Sequence, residues 1–189
     1  MPTTTKLITY EDSLTMPENR FEEIVDGENR IVPVPTPGRW MLLNVIRRKL
    51  YSQLAVEKYE ISHAEVGLGI KRSPVLTYRT PDIAVFSVSA LEKDRAENDT
   101  YIWTPPEFIV ECLSPSNRKG SIERLRHNYE SIGVPEVWFI EPLGETLTIY
   151  LLEGQTLVAK QSLKEGVLSP VRLPQVNVNV EDLWRAFDF

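Results

Sequence analysis

Apolar and polar residues recur along this chain with two different periods, and the periods divide it into strands and helices. Three runs are apolar almost throughout: Ile83-Ala84-Val85-Phe86, then Phe108-Ile109-Val110 continued by Cys112-Leu113 across one acid, then Val137-Trp138-Phe139-Ile140. Short runs of this composition read as strands buried on both faces. Over residues 39–56, Leu43, Ile46, Leu50 and Leu54 recur at three- and four-residue spacing, which predicts an amphipathic helix. Ile122, Leu125, Tyr129 and Ile132 predict a second helix over residues 121–132, closed by Gly133.

Turn residues supply the punctuation. Asp26-Gly27 joins strand-like segments at 21–25 and 28–32, since both residues accept positive φ, and Glu153-Gly154 joins a second hairpin at 145–152 and 156–162. Residues 59–70 alternate as one strand would, interrupted by Gly67 and Gly69. Thr9 with Asp12 three positions on predicts a short capped helix to about Leu14, residues 89–100 are polar enough for a surface helix or loop, and 181–187 fit a closing helical turn. No repeat and no long linker interrupts the series. The expected arrangement is a single domain over residues 1–189, an α/β fold with a mixed central β-sheet flanked by helices, an N-terminal β-hairpin, and the strands at 82–86 and 107–113 in the centre.

Composition narrows the function classes. A chain of 189 residues can bury a core without staples. Its net charge of -6 excludes nucleic-acid binding by bulk electrostatics, so any phosphate contact must come from local basic clusters. Two exist: Arg39, Arg47, Arg48 and Lys49, and Arg118, Lys119, Arg124 and Arg126. Taken alone, each reads first as a solvated helix face. The lone Cys112 can form no internal disulfide, the first residues lack an apolar leader, and no stretch is apolar enough to span a bilayer. A cytoplasmic protein with no membrane partner is expected.

The candidate chemistry lies in acids at strand ends. Glu111 stands inside an apolar strand, where an ionised group needs an Arg or Lys neighbour, a satisfied hydrogen-bond network, or a divalent ion shared with another acid. Asp82 stands at the mouth of the Ile83 run, a place where Asp is often only a turn former. Glu23 faces the side of the first hairpin opposite to Glu22. Nucleotide-binding glycine loops, zinc-ligand clusters and nucleophile elbows are absent, Gly67-Leu68-Gly69 lacks a third glycine, and His63 has no second ligand at metal spacing and reads as structural. Glu23, Asp82 and Glu111 remain, and such hard oxygen ligands suit Mg²⁺ or Mn²⁺.

The run Tyr78-Arg79-Thr80-Pro81-Asp82, the stretch 105–116 (Pro105-Pro106-Glu107 through Ser114-Pro115-Ser116) and the stretch 129–142 resemble a large bacterial family of "putative restriction endonucleases" in the PD-(D/E)XK nuclease superfamily. Residues 21–27 resemble that family's N-terminal signature, so the likeness runs from about residue 21 to 184. The resemblance implies a restriction endonuclease-like fold and a metal-dependent endonuclease that hydrolyses DNA phosphodiester bonds. By position, Asp82 and Glu111 match the two metal-holding acids, the main-chain carbonyl of Cys112 matches a further ligand, and Glu23 matches the supporting acid. Arg39, Arg47, Arg48, Arg118 and Lys119 would then contact phosphates of double-stranded DNA, and the resemblance implies a homodimer. One role is unfilled. The superfamily lysine falls on Leu113, the family's alternative lysine position on Leu125, and its accompanying Asp on Ser121.

Three readings stay open on the sequence: a metal-dependent DNA phosphodiesterase weakened by loss of the lysine, a catalytically inactive nuclease-fold protein that binds DNA or metal, and a structural or protein-interaction module.

Overall fold

The structure, a computed structural model, describes residues 6–17, 22–32, 34–115 and 117–188. Expectations resting on residues 1–5, Phe21, Pro33 or Ser116 lie outside the described residues. These are the expected lack of a leader, the first residue of the hairpin and signature, the first proline before the long helix, and the end of the 105–116 stretch.

Helix α1 (Tyr10–Ser13) starts where the Thr9 hydroxyl accepts from Asp12 N while the Asp12 carboxylate accepts from Thr9 N, a reciprocal cap. Strands β1 (Glu22–Val25) and β2 (Glu28–Ile31) form the first hairpin, with Asp26 at φ 53° and Gly27 at φ 77°. Helix α2 (Pro37–Gln53) opens on Thr36, whose hydroxyl accepts from Arg39 N, and buries Leu42, Leu43, Ile46 and Leu50.

The segment that alternates as one strand forms two. Strand β3 (Tyr59–Ser62) pairs with the main sheet, the chain turns at Ala64 with φ 55°, and β4 (Leu68–Lys71) joins another sheet. The Ala64 N–H, donating to Pro81 O, holds that change of direction. Strand β5 (Thr77–Arg79) then pairs with both β1 and β4.

The remaining elements are β6 (Ile83–Ser87), α3 (Glu92–Glu97), β7 (Phe108–Cys112), α4 (Lys119–Ser131), β8 (Glu136–Glu141), β9 (Thr146–Glu153), β10 (Thr156–Leu163), the small pair β11 (Val167–Leu168) and β12 (Val178–Asn179), and α5 (Val180–Phe187). Six strands make the main sheet in the order β10-β9-β8-β7-β6-β3. Only β7 and β8 run parallel within it, linked through α4, so the sheet is mixed as expected. The N-terminal sheet has the order β2-β1-β5-β4.

Strand alternation sorts the core into two layers. Ile83, Val85, Phe108, Val110, Cys112, Trp138 and Ile140 face α2 and α5. Ala84, Phe86, Ile109, Val137 and Phe139 face the other way, where α4 lays down Ile122, Leu125, Tyr129 and Ile132. Covering on both faces is why β6, β7 and β8 are unbroken apolar runs. Among the described residues, no helix is long and apolar enough to cross a membrane.

Candidate active site

Strands β6 and β7 pair antiparallel with Ile83 opposite Val110 and Ala84 opposite Ile109, and the same register sets Asp82 opposite Glu111. The ladder stops there because Pro81 precedes it. The Cys112 N–H would otherwise be buried without a partner, and it donates to Asp82 Oδ2 at 2.8 Å. Asp82 thus has a structural task as well as any chemical one.

Arg39, in the first turn of α2, donates through Nη2 to both Asp82 oxygens, at 2.7 and 2.6 Å. Both side chains are largely buried, 17% and 14% exposed. Burial works against the guanidinium's charge, and the Asp82 carboxylate more than offsets it, raising the Arg39 pKa.

Glu111 is buried inside β7 and forms no ion pair among the described residues. The Tyr129 hydroxyl, from α4, donates to its Oε1 in a short bond. Burial first, and then the negative Asp82, push the Glu111 carboxyl well above its ordinary range. Glu23 adds to that push and Arg39 opposes it. The Tyr129 hydroxyl is pushed up by burial and by the Glu111 charge. Cys112 points into the opposite core layer, and burial, then Asp82, lift its thiol to about 12.

Glu23 reaches this region from the other sheet. Its Oε1 accepts from Thr80 N at 2.8 Å and its Oε2 from Arg79 Nη1 at 2.9 Å. Arg79 Nε donates to Asn128 Oδ1 on α4 at 2.8 Å. Two neighbouring residues of one helix, Asn128 and Tyr129, therefore tie down both acids: Tyr129 holds Glu111 directly, and Asn128 holds Glu23 through Arg79. The sequence reading assigned no site role to Arg79, Asn128 or Tyr129. Arg79 carried a usable signal, a cation next to the apolar β6 run that needs a buried partner.

The basic residues separate. Arg47 is half-buried and donates to Asn44 Oδ1 at 3.0 Å, whereas Arg48 is exposed. Nine residues from Arg39 at about 100° each place Arg48 on the opposite side of α2 from the acids. Arg118 and Lys119 are exposed at the start of α4. Leu113 is buried, Leu125 packs into the second core layer, and the Ser121 hydroxyl donates to Arg118 O at 2.6 Å. His63 lies edge-on to Tyr51 with Glu65 3.6 Å away.

Among the described residues, no group of three or more His, Cys, Asp and Glu is arranged to hold a metal ion. Both Asp82 oxygens lie on Arg39. The residues nevertheless suit a hard divalent ion in kind. Asp82 and Glu111 offer carboxylate oxygens from adjacent strands, and Glu111 is a buried acid with no paired cation among the described residues, which a proton or a metal would compensate. The region lies at the carboxyl ends of parallel β7 and β8, the usual ligand position in an open α/β sheet.

The sequence model of the Uma2 family, described as "Putative restriction endonuclease", matches residues 9–181. Among solved structures, the fold matches one titled "a putative nuclease belonging to DUF820 from Anabaena variabilis ATCC 29413", with a TM-score of 0.74, 20% identity, and coverage of 95% of this chain and 99% of that one. At that identity the likeness concerns the fold, a mixed α/β sheet flanked by helices. No curated protein matches the sequence.

Proposed function

The chain belongs to the Uma2 family of "putative restriction endonucleases", and on that premise we propose that it is a metal-dependent endonuclease of low intrinsic activity that hydrolyses phosphodiester bonds in DNA. The observation that supports it most is the meeting of Asp82 and Glu111 across β6 and β7, with Glu111 buried and in no ion pair among the described residues. Asp82, Glu111 and the main-chain carbonyl of Cys112 would hold Mg²⁺ or Mn²⁺. When bound, the ion would polarise the scissile phosphate and acidify the attacking water.

The chain's own residues do the rest. Tyr129 fixes the Glu111 carboxylate by its hydroxyl, and Glu23 fixes the β5–β6 connection through Thr80 N and Arg79. Arg118 and Lys119 stand exposed at the start of α4 and would meet the DNA backbone. Arg39 lies on Asp82, and Arg47 and Arg48 project elsewhere on α2. Leu125 offers no ammonium to orient water or to offset charge on the phosphate, and loss of one preorganised charge removes about two to three powers of ten in rate. A second reading, a catalytically inactive protein that still binds DNA or metal, draws on Leu125 packed in the core and on Arg39 occupying both Asp82 oxygens.

Nicking of supercoiled plasmid with Mn²⁺ tests the proposal. The wild-type protein should nick weakly or undetectably while binding Mn²⁺ by titration calorimetry. Ser121→Asp with Leu125→Lys should gain nicking that Asp82→Ala abolishes. Vigorous wild-type nicking that survives loss of Arg118 and Lys119 would overturn the account of the missing lysine. Absence of both metal and DNA binding would overturn the nuclease reading. Cleavage of two strands suits a two-fold homodimer, so light scattering at micromolar concentration should give twice the chain mass.

A further inference from the structure

A cavity of about 360 Å³ opens beside the acids, at the carboxyl ends of β7 and β8. Arg39 lines it, so the cavity and the acid site share the side chain that holds Asp82. Most of the remaining lining is apolar, including Leu113, Ile122 and Phe187. Val34, ahead of α2, and Leu143, after β8, also line it, and they are 70% and 73% exposed. Single exposed aliphatic side chains are ordinary, but two from separate segments bordering one hollow leave paired contact area unused.

The volume lies at the low end of the range, roughly 300–1,000 Å³, of sites that enclose one small organic molecule. Stacked duplex DNA cannot enter such a space, because it presents only phosphates and groove edges. A base turned out of the stack has two apolar faces and a polar rim, which matches apolar walls carrying a few polar groups, here Glu141 and Asn117. A carboxylate such as Glu141 can accept from an exocyclic amino group. Charge fits as well, since the exposed Arg118 and Lys119 at the start of α4 would meet the phosphates flanking that nucleotide.

We propose that this cavity receives one nucleotide turned out of the helix next to the phosphate that faces the Asp82–Glu111 site, so that DNA with an unpaired nucleotide is the preferred substrate class. This rests on the reading of the acid site as a DNA site. It goes further by stating which DNA the site favours.

The test is fluorescence anisotropy on the whole protein without Mg²⁺ or Mn²⁺, so that nothing is cleaved, using a labelled short duplex, fully paired or carrying one unpaired nucleotide. The unpaired form should bind roughly ten-fold more tightly, the order expected of one newly stacked base. Leu143→Ser combined with Val34→Ser should remove that preference and leave paired-duplex affinity and Mn²⁺ binding unchanged. Both positions are exposed, so the fold is not at risk. Equal affinity for the two duplexes, or a preference that survives the double variant, overturns the pocket proposal alone. Failure to bind either duplex, without metal and again with Ca²⁺ present, overturns the DNA reading and this proposal with it. If the double variant converts a wild-type dimer to a monomer in light scattering, the occupant is a second copy of the chain, and the proposal falls.

Discussion

Arg39 bonds both oxygens of Asp82, and a divalent ion arriving at the same carboxylate must compete with that guanidinium for the same lone pairs. Arg39→Gln removes the competing charge and keeps a polar side chain. It should tighten Mn²⁺ binding about ten-fold in calorimetry, the equivalent of one pKa unit of charge interaction. Looser binding would show that Arg39 instead holds Asp82 in the ion-binding position. Glu136, at the far end of β8, is a buried acid with another task. It accepts from Trp138 Nε1 at 2.7 Å and from Val171 N at 2.6 Å, so it ties the 170s loop to the sheet. Burial outweighs these bonds and raises its pKa above the ordinary 4.5. A raised folded-state pKa means that the contribution to stability is complete below about 4.5 and is lost as pH rises through the folded value. Wild type should therefore lose stability relative to Glu136→Gln in urea unfolding as pH rises from 4 toward 8. A difference that stays constant would place the shift elsewhere. At this scale the three acids were legible, because an acid in or beside an apolar strand is conspicuous. Their partners were not. Arg39 is 43 positions from Asp82, and Tyr129 is 18 from Glu111, separations over which a sequence pattern carries no pairing information.

Elements of local origin were legible and elements of non-local origin were not. The Asp26-Gly27 hairpin, α2, α4 and the β9–β10 hairpin each follow from turn chemistry or periodicity inside one window. Strand β5 is only three residues long and exists because β1 and β4 pair on either side of it. The alternation over 59–70 runs on through a change of sheet that no periodicity can reveal. Gly67 and Gly69, which looked like interruptions, have a packing reason. A Cβ at Gly67 would meet the Tyr101 ring at 2.7 Å, and one at Gly69 would overlap the Trp103 ring. Trp103 has little room to retreat, since its Nε1 donates to Asp99 Oδ2 at 2.9 Å and its main-chain N to Asp94 Oδ1 at 2.8 Å. Gly69→Ala should accordingly cost about 1–3 kcal/mol of stability, the usual penalty of overpacking. Urea unfolding measures it, and a loss under about 0.5 kcal/mol would mean that the aromatic cluster yields more easily than its hydrogen bonds suggest.

At the scale of the whole molecule, a net charge of -6 makes any attachment to DNA depend on how many cations face the backbone. Five basic residues looked available in the sequence. In the fold, Arg39 is already neutralised by Asp82, Arg47 is half-buried against Asn44, and Arg48 lies across α2 from the acids. Arg118 and Lys119 remain exposed at the start of α4, the helix that follows β7. Each neutralised phosphate contributes about 0.9 to the slope of log affinity against log salt on duplex DNA. Two contacts predict a slope of about -1.8, or roughly a twelve-fold loss of affinity between 50 and 200 mM salt, whereas all five would give about -4.5 and a loss of roughly five-hundred-fold. Anisotropy titrations of a paired duplex across that range separate the two cases clearly. Arg118→Ala with Lys119→Ala should flatten the dependence almost completely, and Arg48→Ala should leave it unchanged. A steep slope that persists in the double variant would place the DNA on the far side of α2, away from Asp82 and Glu111. That result would detach DNA binding from the acid site.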